Sequence, residues 1–170
     1  MTPLLLLDFD GVLNALLGKG GSPNPDWPDW EKSTADGFTL WTSRTMAAAV
    51  SSLAETNWLT TWNEDDKANT LLSPLLDIGP FPVAAAPLTG PERDELWKPR
   101  AVAAAIKTGR PVVWLDDDCE FLWDEWLRAA PEWKYEDTSN LFKLAPIDDV
   151  GLTIENLGSV RSWLSAIKAD

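Results

Sequence analysis

The sequence predicts an α/β protein with a mostly parallel sheet and helices on both faces. Short continuous apolar runs, such as the four leucines before Asp8, are typical of strands that are buried on both sides. These runs alternate along the chain with segments of helical periodicity, and strands that alternate with helices favour parallel pairing. Three of the runs end in polar residues, as at the carboxyl ends of parallel strands. The length of 170 residues fits a single domain over residues 1–170.

The apolar runs and the helical patterns give the predicted elements in order. The strand predictions cover 3–7, 57–61, 111–115 and 141–145, with short extended pieces at 38–41 and 81–84. The helix predictions cover 45–56, 65–76 with a break near 73–74, 99–108, 121–129 and 152–169. Residues 18–37 are rich in Gly, Pro, Asp and Ser and are predicted to form a loop. Pro99 and Gly109 bound one helix, so we expect Lys98 just outside its start.

The composition excludes several classes of function. The chain has 14 basic and 27 acidic residues and a net charge of -13, so its surface repels polyanions. We therefore expect no extended nucleic-acid-binding surface. It contains no histidine and one cysteine, Cys119, which excludes Ser-His-Asp catalysis, histidine-zinc sites and an internal disulfide. The apolar run at the start is too short for a signal peptide or a membrane span, so we expect a cytoplasmic protein with no membrane partner.

Polar residues follow three of the predicted strands and converge at one edge of the sheet. They are Asp8 and Asp10, Thr60 and Thr61, and Asp116 and Asp117. Ligands of such sheets bind beyond the carboxyl ends of the strands. At about 4 Å and an effective dielectric constant near 20, each pair of like charges costs on the order of 4 kcal/mol. A bound cation or protonation must relieve this repulsion, and Mg²⁺ is the hard cation that suits carboxylate oxygens.

The segment Leu5-Leu6-Leu7-Asp8-Phe9-Asp10-Gly11-Val12-Leu13 resembles the first motif of the haloacid dehalogenase-like (HAD) superfamily of phosphohydrolases. Thr60 after an apolar strand, Lys98 at a helix start and Asp116-Asp117 after another strand resemble its three later motifs. The resemblance spans residues 4–118 and implies a three-layer α/β/α, Rossmann-like HAD core. The Trp-Leu-Thr-Thr-Trp-Asn run at 58–63 also resembles small bacterial and phage members, some of which are linked to nucleic-acid end repair.

The resemblance implies a role for each motif residue. Asp8 is the expected nucleophile that forms an aspartyl-phosphate, and Asp10 is the expected acid and base. Thr60 is expected to donate its hydroxyl to a phosphoryl oxygen, and Lys98 to pair with Asp8 and the phosphate. The expected Mg²⁺ ligands are Asp8, the backbone carbonyl of Asp10, Asp116 and Asp117.

Three of these assignments have alternatives. Thr61 can replace Thr60, because a shift of one residue along a strand changes the face. Lys98 can be a solvated lysine at a helix start. Which two of Asp116, Asp117 and Asp118 meet the metal is open, with Asp118 expected to face solvent.

The two cap insertion points of the HAD superfamily, at residues 14–37 and 85–97, are too short here for a folded cap. We therefore expect minimal or no cap and an open site, which suits a bulky substrate or a partner that completes the lid. Trp27 and Trp30 lie on a proline-containing loop. They either stack on a base or sugar of the substrate or fold down as a hydrophobic plug.

The expected function is a Mg²⁺-dependent phosphomonoester phosphatase that acts through an aspartyl-phosphate. One alternative is a nucleotide or nucleic-acid end phosphatase, and another is an inactive HAD-fold binding module. The expected partners are therefore a phosphorylated small molecule, a nucleotide or a nucleic-acid end.

Overall fold

A four-stranded parallel sheet forms the centre of the fold in the computed structural model, which describes residues 1–18, 21–87 and 94–167. The strands in chain order are β1 (Leu4–Leu7), β2 (Glu31–Ala35), β3 (Phe38–Thr42), β4 (Glu55–Trp58), β5 (Val112–Leu115) and β6 (Leu141–Leu144). The α-helices are α1 (Arg44–Ser51), α2 (Ser73–Leu76), α3 (Trp97–Ile106), α4 (Cys119–Ala129) and α5 (Ile154–Ile167). The sheet has the order β4-β1-β5-β6, and all its pairs are parallel. The predicted α/β class with a parallel sheet is confirmed.

Side chains of β1 alternate between two hydrophobic cores. Leu5 and Leu7 pack on one side of the sheet with residues of α1 and α5. Leu4 and Leu6 pack on the other side with residues of α3 and α4. Because successive residues of a strand point to opposite faces, a strand between two helical layers is apolar at every position. This explains the unbroken apolar runs of β1 and β5.

The predicted loop over residues 18–37 contains a strand. β2 pairs with β3 in an antiparallel hairpin, and Asp36 and Gly37 form its turn at φ values of 49° and 81°. A two-residue hairpin turn of this kind needs positive φ at both positions, which Asp and Gly tolerate. β2 is mostly exposed and polar, so it lacks the apolar alternation that marks a strand in sequence. Residues 19 and 20 of the predicted loop lie outside the described residues.

The segment after β4 differs from the predicted helix over 65–76 with a break near 73–74. A 3₁₀ helix covers Thr61–Asp66, a π-helical turn covers Ala68–Leu72, and α2 follows. Asp65 and Asp66 have positive φ, which interrupts regular helix geometry. The predicted helix over 45–56 ends at Ser51, because β4 begins at Glu55 and pairs with β1.

Smaller differences occur elsewhere in the chain. The predicted edge strand at 81–84 is a single bridge between Val83 and Trp58. A 3₁₀ helix at Pro131–Tyr135 was not predicted. The predicted end of the last helix, at residue 169, lies outside the described residues. Across the described ranges, no helix is both long enough and apolar enough to cross a membrane.

Candidate functional site

The register of the central strands brings two carboxylates together. β1 and β5 pair with Leu7 opposite Leu115, so Asp8 and Asp116 follow directly at the same edge of the sheet. The backbone N–H of Asp8 donates to the Leu115 carbonyl at 3.0 Å, which continues the ladder by one residue. Asp8 is 5% exposed and Asp116 is fully buried. The sheet therefore holds two predicted site residues side by side in a poorly hydrated place.

Lys98 bridges these two carboxylates. Its Nζ lies 2.5 Å from Asp8 Oδ2 and 2.8 Å from Asp116 Oδ2, and the residue is 8% exposed. Burial opposes the ammonium charge, but the charges of Asp8 and Asp116 outweigh it and raise the pKa of Lys98. Lys98 is thus a buried ion-pair residue and not a solvated lysine.

The predicted position of Lys98 outside the helix is wrong. α3 begins at Trp97, so Lys98 and Pro99 both lie in its first turn. The first turn has N–H groups without helical acceptors, and the missing N–H of Pro99 therefore removes no helical hydrogen bond there. The two ion pairs that Lys98 makes from this position outweigh the weaker preference of a residue before proline for extended geometry.

Asp117 completes a group of three carboxylates. One oxygen each from Asp8, Asp116 and Asp117 lies within 4.8 Å of the others. Gly11, at φ +69°, lies against the Asp117 side chain, since a Cβ on Gly11 would be 2.4 Å from Asp117 Cγ. Gly11 therefore serves two purposes, because it adopts the left-handed turn conformation and its missing side chain leaves space for the Asp117 carboxylate.

The electrostatics of the group favour a bound cation. Burial, reinforced by the charge of Asp8, raises the pKa of Asp116 to about 6. Burial and the charges of Asp8 and Asp116 raise the pKa of Asp117 to about 7. With all groups ionised, three carboxylates and the Lys98 ammonium leave two uncompensated negative charges. That excess matches a divalent ion.

The donor atoms of the group are carboxylate oxygens, which suit a hard metal ion. Cys119 is buried nearby on α4, where burial and then Asp116 raise the pKa of its thiol to about 12. The thiol therefore stays protonated and is a poor metal ligand. Asp8, Asp116 and Asp117 could together hold a metal ion.

Asp10 lies outside the three-carboxylate group, and both oxygens of its side chain have partners. Asn14 Nδ2 donates to Oδ1 at 2.7 Å, and Trp62 Nε1 donates to Oδ2 at 2.9 Å. Asn14 is itself fixed, because its Oδ1 accepts from the Trp41 backbone N–H at 2.8 Å. The predicted contribution of Asp10 to a metal, through its backbone carbonyl, stays a prediction.

Sequence reasoning missed Asn14 and did not assign Trp62. The position of Trp62 could have indicated a role in the site, because it stands two residues after Thr60 and its indole N–H is a hydrogen-bond donor. No sequence pattern indicates a role for Asn14, since its contact with Asp10 depends on the turn that begins at Gly11. These two residues fix the orientation of the Asp10 carboxylate.

The hydroxyl residues after β4 occupy different places. Thr60 is fully buried, and its Oγ1 accepts the Trp62 backbone N–H at 3.4 Å. Thr61 is exposed. The side chain of Asp118 is also exposed, while its backbone N–H donates to Asp116 Oδ1 at 3.0 Å. The roles of Thr60 in phosphate binding and of Asp116 and Asp117 as ligands stay predictions.

A cleft of about 400 Å³ adjoins Asp10, and we call it the Asp10 cleft. Its lining comprises Asp10, Asn14, Leu16, Asp36, Phe38, Thr39, Leu40, Thr61, Trp62, Glu64 and Lys67. The β2–β3 hairpin and the segment after β4 thus form its walls.

The two tryptophans of the loop before β2 fold down onto the protein. Trp27 Nε1 donates to the Leu152 carbonyl at 2.7 Å, and Trp27 is 7% exposed. Trp30 Nε1 donates to the Asn24 carbonyl at 2.8 Å. The sequence left two arrangements possible for these tryptophans, stacking on a substrate or packing down as a hydrophobic plug. In the structure they pack down onto the protein.

We expect Gly11→Ala to weaken metal binding, because the new methyl group displaces the Asp117 carboxylate. Gly37→Ala is the matched control, since Gly37 also has positive φ but a Cβ there meets no atom within 4 Å. Both variants lose roughly 1–2 kcal/mol of unfolding free energy through backbone strain. Only Gly11→Ala should also reduce Mg²⁺ affinity, by at least about tenfold, measured by titration calorimetry. Equal affinities in the two variants would show that Asp117 is not a ligand.

No protein-family model matches the chain, and no curated protein or solved structure matches it either. The α/β fold with its parallel sheet is compatible with a Rossmann-like arrangement. At the edge of this sheet, Asp8, Asp116 and Asp117 could hold a metal ion beside the buried Lys98 ammonium.

Proposed function

We propose that the protein is a Mg²⁺-dependent phosphomonoester phosphatase of the HAD type, acting through an aspartyl-phosphate on Asp8. The observation that carries the proposal is the buried Asp8 carboxylate, paired with Lys98 and grouped with Asp116 and Asp117, next to an Asp10 held by separate partners. Two carboxylates two residues apart thus have different surroundings, as a nucleophile and an acid–base group require. The resemblance of residues 4–118 to HAD motifs supports the same assignment.

The first half of the proposed reaction transfers the phosphoryl group to the protein. An Asp8 oxygen forms a bond to phosphorus as the bond between phosphorus and the alcohol oxygen breaks. Asp10 gives its proton to the departing alcohol oxygen, so a neutral alcohol leaves. Asn14 and Trp62 hold the Asp10 carboxylate in one orientation during this transfer.

The second half regenerates the carboxylate. Asp10, now ionised, takes a proton from water as the water oxygen bonds to phosphorus. The bond between phosphorus and Asp8 then breaks, which releases inorganic phosphate and restores the starting protonation state. This cycle needs no histidine, consistent with a chain that has none.

The Lys98 ammonium, and a cation held by the acidic group, would offset the charge of the phosphoryl oxygens. The Lys98 ammonium, already at Asp8, is positioned to attract the equatorial oxygens, and Thr60 is proposed to donate its hydroxyl to one of them. Mg²⁺ would be held by Asp8, Asp116, Asp117 and the Asp10 carbonyl, and when bound it neutralises charge on the phosphoryl group. A hard divalent ion fits the excess negative charge of this group.

The test is release of inorganic phosphate from a panel of monoesters with MgCl₂ and with EDTA. The panel contains an aryl phosphate, nucleoside monophosphates and phosphorylated oligonucleotides. Release that needs Mg²⁺ supports the proposal, and the preferred ester separates a small-molecule phosphatase from a nucleic-acid end phosphatase. Mg²⁺ binding without release from any ester would instead support an inactive binding module.

We expect the stability of the protein without added metal to fall as the pH rises through about 6 to 7. Asp116 and Asp117 hold protons more tightly when folded, because their pKa values rise from 3.8 to about 6 and about 7. Their contribution to the free energy of unfolding is therefore fully present below about pH 4 and is lost as the pH passes these values.

Mg²⁺ competes with these protons for the carboxylates, so the stabilisation of the folded protein by Mg²⁺ should increase as the pH rises. The increase in Tm on adding MgCl₂ should be larger at about pH 8 than at about pH 5. Differential scanning fluorimetry measures both series, with NaCl of equal ionic strength as the control. An equal increase at both pH values would mean that the carboxylates do not bind the ion.

A further inference from the structure

The Asp10 cleft has an apolar wall that the phosphoryl chemistry does not use. Phe38 is 62% exposed, although it is a large apolar side chain. Its ring lies edge-on to Trp62, with ring centroids 5.9 Å apart, and Trp62 lies edge-on to the buried Phe9 at 5.7 Å. The Trp62 indole is fixed further by its bond to Asp10. Leu16 and Leu40 extend the apolar lining, so the cleft offers the exposed Phe38 ring, which is backed by a Trp62 that is 8% exposed and anchored in the core.

The charged residues of the cleft are mainly acidic. Asp10, Asp36 and Glu64 contribute carboxylates to the described lining. Lys67 contributes an ammonium, whose Nζ lies 2.8 Å from Asp36 Oδ2 and is thus paired with one of those carboxylates. Within the described lining this leaves Glu64 as a carboxylate with no ion-pair partner, so an occupant with its own negative charge would meet unfavourable repulsion there.

We propose that the Asp10 cleft holds the alcohol part of the substrate and selects an uncharged alcohol that carries an aromatic ring. This assignment rests on the proposed function, in which Asp10 protonates the leaving oxygen. Both side-chain partners of Asp10, Asn14 and Trp62, line the cleft, so an alcohol oxygen that reaches Asp10 carries the rest of its molecule into the cleft.

The aromatic wall and the acidic residues together define the substrate class. An aromatic ring gains contact with the exposed Phe38 ring that an aliphatic chain of two carbons cannot make. A further phosphate or carboxylate on the alcohol would be repelled by Glu64. The cleft therefore fits benzyl-type monoesters and nucleoside monophosphates, whose alcohols are neutral, better than chain ends of nucleic acids, which carry further phosphates.

The first experiment compares kcat/KM for three related alkyl phosphates with Mg²⁺ present. Benzyl phosphate should exceed ethyl phosphate by about tenfold, within the range found for stacking on aromatic side chains. Benzyl phosphate should exceed 4-carboxybenzyl phosphate by at least about tenfold, because of the added negative charge. A nucleoside 5′-monophosphate and the matching 3′,5′-bisphosphate form a second pair, which tests the same charge discrimination on a nucleoside. Comparing the nucleoside 5′-monophosphate with benzyl phosphate distinguishes a nucleoside from a simple aromatic alcohol as the preferred group.

The second experiment replaces residues that line the Asp10 cleft. Phe38→Ala should lower the benzyl-to-ethyl ratio to near unity. Phe121→Ala is the matched control, because Phe121 is 61% exposed on α4 and does not line the Asp10 cleft, and it should leave the ratio unchanged. Glu64→Gln should reduce the discrimination against 4-carboxybenzyl phosphate, while Glu132→Gln, on the exposed 3₁₀ helix, should not.

The outcomes separate this inference from the proposed function. Mg²⁺-dependent hydrolysis with the expected ratios, altered only by the cleft variants, supports both. Hydrolysis with equal kcat/KM for all esters, or ratios that Phe38→Ala does not change, overturns the cleft assignment and leaves the phosphatase intact. Hydrolysis of none of the esters overturns the phosphatase and the cleft assignment with it.

Discussion

Replacing Asp8 by Asn should lower the rate of phosphate release by at least about 10³-fold, since the variant lacks the carboxylate that we propose as the nucleophile. An amide has nearly the same shape but is a far weaker nucleophile, so the phosphoryl group has no acceptor on the protein. Lys98 keeps its bond to Asp116, and the change removes one of three mutually repelling carboxylates. We therefore expect the variant to fold and to have a Tm no lower than that of the parent.

Two measurements check the role of Asp8. Steady-state phosphate release gives the rate, and mass spectrometry of acid-quenched protein during turnover detects one added phosphoryl group on the peptide that contains Asp8. Asp124→Asn, an exposed aspartate on α4, is the matched control and should keep the parental rate. Turnover by Asp8→Asn at the parental rate, or a phosphoryl group on another residue, would contradict the proposed nucleophile.

The sequence was sufficient to predict the central sheet and the carboxylates at its edge. The bounds of β4 were wrong, because the strand covers Glu55–Trp58 and not 57–61, and Thr60 and Thr61 lie beyond its end. The strands β1 and β5 are buried on both faces, so their residues are apolar at every position, and this pattern is visible in one sequence. Parallel pairing of these strands then places Asp8 beside Asp116 without any knowledge of side-chain geometry. A local sequence pattern is therefore sufficient to predict a strand when every residue of that strand is buried.

The features that the sequence did not predict depend on contacts between distant segments. β2 is held by its ladder to β3 and has little apolar burial, so nothing in Glu31–Ala35 marks it. The Asp10 contact with Trp62 joins residues 52 positions apart. The local preference of a residue before proline predicts Lys98 outside its helix, whereas its ion pairs with Asp8 and Asp116 hold it in the first turn of α3. Local rules fail where tertiary contacts are stronger than local preferences.

Lys98→Met should lower the free energy of unfolding by about 3–5 kcal/mol near neutral pH, the range found when one partner of a buried ion pair is removed. Methionine approximates the length of the lysine stem but leaves Asp8 and Asp116 buried without their cation. Urea denaturation measures the change. Lys107→Met, at the C-cap residue that follows α3, is the control, and losing its contact with the Trp133 ring should cost no more than about 1 kcal/mol.

A second substitution distinguishes loss of the charge pair from loss of packing. Asp116→Asn in the Lys98→Met background removes one of the two uncompensated carboxylates, so the double variant should be more stable than Lys98→Met alone. Mg²⁺ should also stabilise Lys98→Met, because the ion supplies positive charge to the same carboxylates. Two results would contradict this role of the lysine. One is a free energy of unfolding of Lys98→Met within about 1 kcal/mol of the parental value. The other is a double variant that is less stable than Lys98→Met alone. Restored stability in the double variant would instead show that the acidic edge of the sheet depends on a cation, whether from Lys98 or from a bound metal.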